Sequence, residues 1–157
     1  ARVRIALIPV EIFPYRFLFC TVNTYLCFRE EMSDHFTGAR EQIYDALREG
    51  RCYISFDQLH SGKGFSFTAS GGSSTPAVAM MGEEMTWQEG IDLLVRCPTP
   101  RSEIRIIKNG RLVYRQSGPE LKYRVTASGV YRAEAYYIPC GRRPRPWIYA
   151  NPIYIRD

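Results

Sequence analysis

From Ser128 to Tyr137 the chain reads Ser-Gly-Val-Tyr-Arg-Ala-Glu-Ala-Tyr-Tyr, and that alternation leaves few folds open. Successive side chains of a strand point to opposite faces. Tyr131, Ala133, Ala135 and Tyr137 therefore share one side, and Val130, Arg132, Glu134 and Tyr136 the other. A helix would scatter both sets around its circumference. The stretch is expected to form a strand with one buried face, opened by a turn at Ser128-Gly129, and burying that face requires a second layer.

The rest of the chain after Gly64 supplies strands for such a layer. Phe65-Ser66-Phe67-Thr68-Ala69 alternates, with both phenylalanines on one face. Ser70 to Pro76 is a small-residue loop, followed by short strands at 78–81 and 91–96. Ile104–Lys108 and Arg111–Arg115 flank Asn109-Gly110, two residues that tolerate the positive φ of a type I′ hairpin turn. Leu121, Tyr123 and Val125 alternate in a further strand. At the end, Trp147-Ile148-Tyr149 and Ile153-Tyr154-Ile155 are separated by Asn151-Pro152. Proline donates no ladder hydrogen bond, so this last strand is expected at an edge or with a bulge there.

The first third has a different texture. Residues 3–8 fit a short strand, and Pro9 and Pro14 frame an irregular connection. Phe17 to Phe28 is apolar on nearly every side, which fits one buried strand or a helix followed by a strand. The spacing of Ala39, Ile43, Ala46 and Leu47 predicts a helix over 38–49, with Thr37 as N-cap and Gly50 as its stop. Cys52–Phe56 reads as a strand. The division is thus a mixed segment at 1–57 and a β region at 58–157.

Composition narrows the classes. The chain of 157 residues is 45% hydrophobic, enough for a core, and its charge is +5. The basic residues are scattered except for Arg142-Arg143-Pro144-Arg145, which reads as a solvated loop, and this argues against nucleic acid as the partner. The five cysteines include no Cys-x-x-Cys pair, which fits buried free thiols in a reducing, cytoplasmic compartment. His35 and His60 stand apart, so no metal or other cofactor is expected in this chain. No apolar run approaches the length of a membrane span.

Few residues suggest chemistry. Glu30-Glu31 and Glu83-Glu84 sit beside turn-like segments and read as solvated pairs. Ser61-Gly62-Lys63-Gly64 lacks the full phosphate-loop pattern and runs into a strand. Tyr114, Tyr123, Tyr131 and Tyr137 read as core packing before they read as a platform for sugars or bases. In Phe13-Pro14-Tyr15-Arg16, the Arg16 guanidinium beside Tyr15 has the planar fork for a phosphate or carboxylate, and equally for an interdomain salt bridge. Asn23 lies within the apolar run. A buried amide must be hydrogen-bonded, so it braces the local backbone or reaches a site.

Two resemblances follow. The entry Ser128-Gly129-Val130-Tyr131 resembles the start of strand F in immunoglobulin-like sandwiches, where a tyrosine hydroxyl bonds back to upstream backbone. Ala133 stands where antibody domains have their second core cysteine, so that disulfide is not expected. Several motifs, taken in order, resemble the C-terminal part of bacterial PHP-domain proteins, the polymerase and histidinol phosphatase superfamily. They are Phe13-Pro14-Tyr15-Arg16, Ile43 to Arg51, Gly64-Phe65-Ser66-Phe67, Met81-Gly82-Glu83-Glu84, and Arg145-Pro146-Trp147-Ile148-Tyr149-Ala150-Asn151-Pro152-Ile153-Tyr154. The resemblance implies a parent phosphoesterase whose divalent metals, such as manganese, zinc or iron, are bound by a distorted barrel upstream. The family's His-x-His and Asp-x-His motifs do not occur in this sequence.

On this reading, residues 1–57 are the tail of a PHP barrel, with its last helix near 38–49. Residues 58–157 are an appended immunoglobulin-like antiparallel β-sandwich in a mainly β chain. The chain is expected to be non-catalytic by itself, with the N-terminal PHP catalytic domain as partner and a homo-oligomer as a further option. The alternative is an independent binding module for a sugar or anionic polymer.

Overall fold

The computed structural model describes residues 2–5, 8–11, 15–19, 21–71, 77–140 and 142–157. The chain begins with an antiparallel hairpin, β1 (Arg2–Ile5) and β2 (Ile8–Glu11), followed by helix α1 (Tyr15–Phe19) and strand β3 (Val22–Leu26). The apolar run is thus a helix followed by a strand. The Thr21 hydroxyl donates to the Phe17 carbonyl at 2.6 Å where the helix ends, and β-branched Val22 and Thr24 favour the extended chain beyond.

Helix α2 (Phe36–Arg48) and strand β4 (Cys52–Phe56) complete this part. The helix starts two residues before Gly38. His35, not Thr37, is its N-cap, and it makes no side-chain capping bond. Gln42 serves instead from farther along the helix, accepting from Ser33 N–H at 2.8 Å and donating to the Glu31 carbonyl at 3.1 Å. At the other end Gly50 (φ 68) turns the chain. Its N–H donates to the Leu47 carbonyl at 3.2 Å, and Arg51 N–H donates to Ala46 at 2.8 Å, the paired bonds of a Schellman stop. Of the expected apolar stripe only Ala46 is fully buried. Ala39 and Ile43 are half-buried, and Leu47 is exposed.

Ten strands follow: β5 (Ser66–Gly71), β6 (Ala77–Met80), β7 (Glu84–Thr86), β8 (Asp92–Arg96), β9 (Ser102–Lys108), β10 (Arg111–Ser117), β11 (Glu120–Arg124), β12 (Gly129–Tyr137), β13 (Arg145–Ala150) and β14 (Ile153–Arg156). They build a mainly β body of two sheets. One is ordered β11-β8-β5-β6. The other runs β10-β9-β12-β13-β4-β3, with β14 on β12 and β7 on β14. Strand pairs are antiparallel except β7 with β14, which is parallel. The core between the sheets takes Phe67, Leu93 and Val95 from one side and Ile104, Ile106, Tyr131, Ala133, Ala135 and Ile148 from the other. These are the alternate residues of their strands, so burial follows the period-two pattern.

β12 is the axis of the larger sheet. It pairs with β9 along its length, with β13 over 134–137, and with β14 over 129–131. The Tyr131 ring is fully buried, and its hydroxyl donates to the Ala127 carbonyl at 2.6 Å, locking the corner where the strand begins. Asn109 (φ 49) and Gly110 (φ 81) close the β9–β10 turn, and Asn109 Oδ1 accepts from Val130 N–H at 2.9 Å.

One further expectation needs correction. The final stretch is interrupted at Asn151-Pro152, as expected, but neither half lies at an edge: β13 lies between β12 and β4, and β14 between β12 and β7. Asn151-Pro152 marks the point where the outer neighbour changes, so the missing N–H interrupts no ladder. Strand β7 has no counterpart among the sequence expectations, which end one strand at Met81 and resume at Ile91. It holds a single buried residue, Met85, between Glu84 and Thr86, and three residues are too short to show alternation. Strands β3 and β4, which precede residue 57, continue the sheet to which β13 belongs. Among the described residues no helix is long and apolar enough to cross a membrane.

Candidate functional site

The most organised polar cluster surrounds Asp57, just past the end of β4. The β3–β4 register sets Asn23 opposite Ser55 and Tyr25 opposite Tyr53, so these side chains converge on one face. Asp57 Oδ2 accepts from Asn23 Nδ2 at 2.8 Å and from the Tyr25 hydroxyl at 2.6 Å. Its Oδ1 accepts from the Ser55 hydroxyl at 2.6 Å and from Gly62 N–H at 3.0 Å. Burial alone would raise the carboxyl's pKa. The donors from Ser55, Tyr25, Asn23 and Gly62 outweigh it and hold the group below its ordinary value. Tyr25 is shifted upward, by burial first and then by its bond to the carboxylate.

Each carboxylate oxygen already accepts two hydrogen bonds. Asp57 therefore has no free lone pair for a metal ion or a substrate proton without giving up a donor. The cluster is a bracket for the loop at 57–65. The Tyr53 hydroxyl donates to the Gly62 carbonyl at 2.9 Å, and a Cβ at Gly62 would lie 2.4 Å from Ser55 Oγ. The loop also covers Trp147, the extra residue at a bulge where β13 shifts register against β12. Trp147 Nε1 donates to the His60 carbonyl at 2.7 Å, and the His60 ring lies against Tyr137 and Trp147.

A second cluster ties the helix end to the two-sheet body. Glu83 accepts from Arg29 at 2.9 and 2.6 Å and from Met80 N–H at 2.9 Å, with Arg51 at 3.9 Å. Glu83 is thus mostly buried and paired, not solvated as its sequence neighbourhood implied. Arg51 also pairs with Glu49, while its buried Nε has no hydrogen-bond partner among the described residues. Asn151 Nδ2 donates to the Gly50 carbonyl at 2.8 Å, and Gly82 N–H donates to the Pro152 carbonyl at 2.7 Å. At Gly82 a side chain would lie 2.2 Å from the Glu49 carbonyl, so only glycine lets these backbones meet.

The outer face of the larger sheet carries an apolar groove of about 450 Å³, lined by Val22, Ile54, Phe56, Pro146 and Tyr149 among others. Beside it Glu134, on the face of β12 expected to be solvated, is 6% exposed. It pairs with Arg132 and accepts from the Tyr136 hydroxyl at 3.3 Å. The Arg105 guanidinium stacks 3.7 Å from the centre of the Tyr136 ring. The Tyr136 phenol is pushed up to about 12, chiefly by burial and then by Tyr149.

The residues singled out from sequence do not assemble into one site. Asn23 joins the Asp57 bracket, whereas Tyr15 is exposed on α1. Phe13, Pro14 and the Arg16 side chain lie outside the described residues. Tyr123 and Tyr131 pack in or against the core, and only Tyr114 of that neighbouring set is exposed. Asp57 and Ser55 were not singled out, and Gly62 was weighed only within a phosphate-loop pattern. Their only sequence signal was Ser-x-Asp at a strand end, followed by a glycine. Among the described residues no group of three or more His, Cys, Asp or Glu is placed to hold a metal ion. The Cys27 thiol is pushed up to about 11 and Cys97 to about 12, both chiefly by burial, which disfavours the reactive thiolate. Comparison with protein-family models, curated proteins and solved structures returns no significant match to the chain.

Proposed function

We propose that this chain is the non-catalytic accessory region of a cytoplasmic PHP-type metal-dependent phosphoesterase, and that helices α1 and α2 carry its contact surface for the catalytic unit. The carrying observation is the uncovered apolar surface there. Tyr15, Phe19 and Phe36 are 77, 75 and 80% exposed. Large aromatic residues concentrated on one part of a soluble body mark a surface that another folded unit covers. The ordered series of PHP-like motifs supports the same parentage.

In this reading the body is an immunoglobulin-like sandwich. Its support is the corner bond of Tyr131, the order β10-β9-β12-β13 in one sheet and β11-β8-β5 in the other, and the parallel pairing of β7 with β14. The saturated Asp57 carboxylate fits a structural role, and the metals would belong to the catalytic unit.

The test mixes this chain with a separately expressed PHP barrel carrying the His-x-His and Asp-x-His motifs, taken from the sequence encoded upstream. A rise in the barrel's manganese-dependent phosphodiesterase activity or thermal midpoint is expected, and Phe19→Ser with Phe36→Ser should reduce it. Metal-dependent hydrolysis by the purified chain alone, co-eluting with it through successive columns, would overturn the assignment.

A further inference from the structure

The sheet edges of this molecule are not alike. Edge strand β10 carries Arg111 and Arg115, and its register against β9 breaks between Leu112 and Tyr114. β11, at one edge of the smaller sheet, carries Glu120, Lys122 and Arg124. At the opposite edge β6 has four residues, and β7 has three. Charge, bulges and shortness are the devices that stop a further strand from adding to a sheet. β3, Val-Asn-Thr-Tyr-Leu, has neither charge nor proline, and its register against β4 is unbroken.

The register also fixes which backbone groups β3 leaves open. Cys27 N–H donates to the Arg51 carbonyl at 2.8 Å, and Asp57 N–H donates to the Thr21 carbonyl at 3.0 Å. In an antiparallel ladder alternate residues bond to the same neighbour, so Asn23 and Tyr25 face β4. The N–H and C=O groups of Val22, Thr24 and Leu26 point the other way, and among the described residues no strand lies on that side.

We propose that the free edge of β3 pairs with β3 of a second copy of this chain. The pairing is antiparallel about a two-fold axis at Thr24 and joins two of the larger sheets into one. The occupant follows from the strand's own composition. In this register Val22 meets the second copy's Leu26, Asn23 meets Tyr25, and Thr24 meets itself. No like charges are opposed, and Thr–Thr and aliphatic pairs are favourable cross-strand neighbours. The residues with outward backbone groups are those that exchange hydrogen bonds in this register. The contact is isologous and closes at two copies. It also covers Val22, 55% exposed, so the apolar groove it lines continues across the axis. This goes beyond the accessory role and does not depend on it. The aromatic residues of α1 and α2 remain for the catalytic unit.

Sedimentation velocity on the full chain tests the pairing. The expected result is the mass of two chains, falling to one in Thr24→Lys, which opposes two ammonium groups at the axis. Leu112→Lys on the β10 edge should leave two. A chain that sediments singly from micromolar to millimolar concentration overturns the proposal, as does a dimer that survives Thr24→Lys or is dissolved by Leu112→Lys. Cysteine cross-linking provides a second readout should Thr24→Lys misfold. In a Cys140→Ser background, Thr24→Cys should oxidise to a covalent dimer, because directly opposed residues have Cα atoms about 5.5 Å apart. Val22→Cys, opposed to Leu26, should not, and equal cross-linking of both overturns the register. Failure here leaves the accessory reading standing, since that is read from phosphodiesterase activity.

Discussion

Tyr131 and Phe19 are both large aromatic residues on regular elements, yet one has no exposed surface and the other keeps 75% of it. The contrast holds for their surroundings. From β5 onward, alternate residues meet across two sheets in a single core. Before Asp57, α1 and α2 leave Tyr15, Phe17, Phe36 and Tyr44 in solvent, and of α2 only Ala46 is fully buried. The first segment is held less by its own packing than by what it is tied to: β4 in the ladder with β13, the Asp57 bracket, and the Arg29–Glu83 pair. A segment attached in this way presents a surface without needing its own core.

The largest break in this arrangement should come from Trp147→Ala. It empties a buried site and removes the bond to the His60 carbonyl, a loss of about 3–5 kcal/mol in urea unfolding. Both regions should lose stability together, because Trp147 lies between the loop and β12. Asp57→Ala should cost about 2 kcal/mol by leaving its former donors without an acceptor. Here the comparison sharpens: hydrogen exchange should quicken over 22–26 while β12 keeps its protection.

Acid provides a milder perturbation. Asp57 is held below its ordinary carboxyl value despite burial, by its hydrogen bonds. Asp92 is lowered likewise, despite burial, by Arg124 and Lys122. A depressed folded pKa contributes stability above the unfolded value, which is lost as pH falls through the folded one. Unfolding midpoints should therefore drop as pH falls below about 4, and Asp57→Asn should flatten part of that slope. The smallest effect belongs to Phe19→Ser or Phe36→Ser. Each should change the isolated chain's stability by under about 0.5 kcal/mol, since neither side chain is buried. A large loss would show that α1 and α2 are packed after all.

Much of the two-sheet body was legible because its signals are local. The alternation of 129–137 and 65–69, and Asn109-Gly110 with positive φ, follow from neighbours in sequence. Gly50 was legible for the same reason. Asn23 was legible only as a need for a partner; that the partner is Asp57 depends on β3 lying beside β4. The start of α2 was misplaced because Gln42 supports it from the following turns, not an adjacent cap. Glu83 was misread because its partner Arg29 lies 54 residues away.

The sequence by itself determined most strands of the two-sheet body, their core-facing residues and the Asn109-Gly110 turn, since period-two patterning and backbone sterics act within a few residues. Tertiary structure decided the rest. It made Asn151-Pro152 an interior change of neighbour, and it made Glu83 and Glu134 paired and covered. It drew β3 and β4 into the larger sheet and saturated Asp57. Each depends on groups distant in sequence meeting at hydrogen-bond range, and only the folded chain sets those distances.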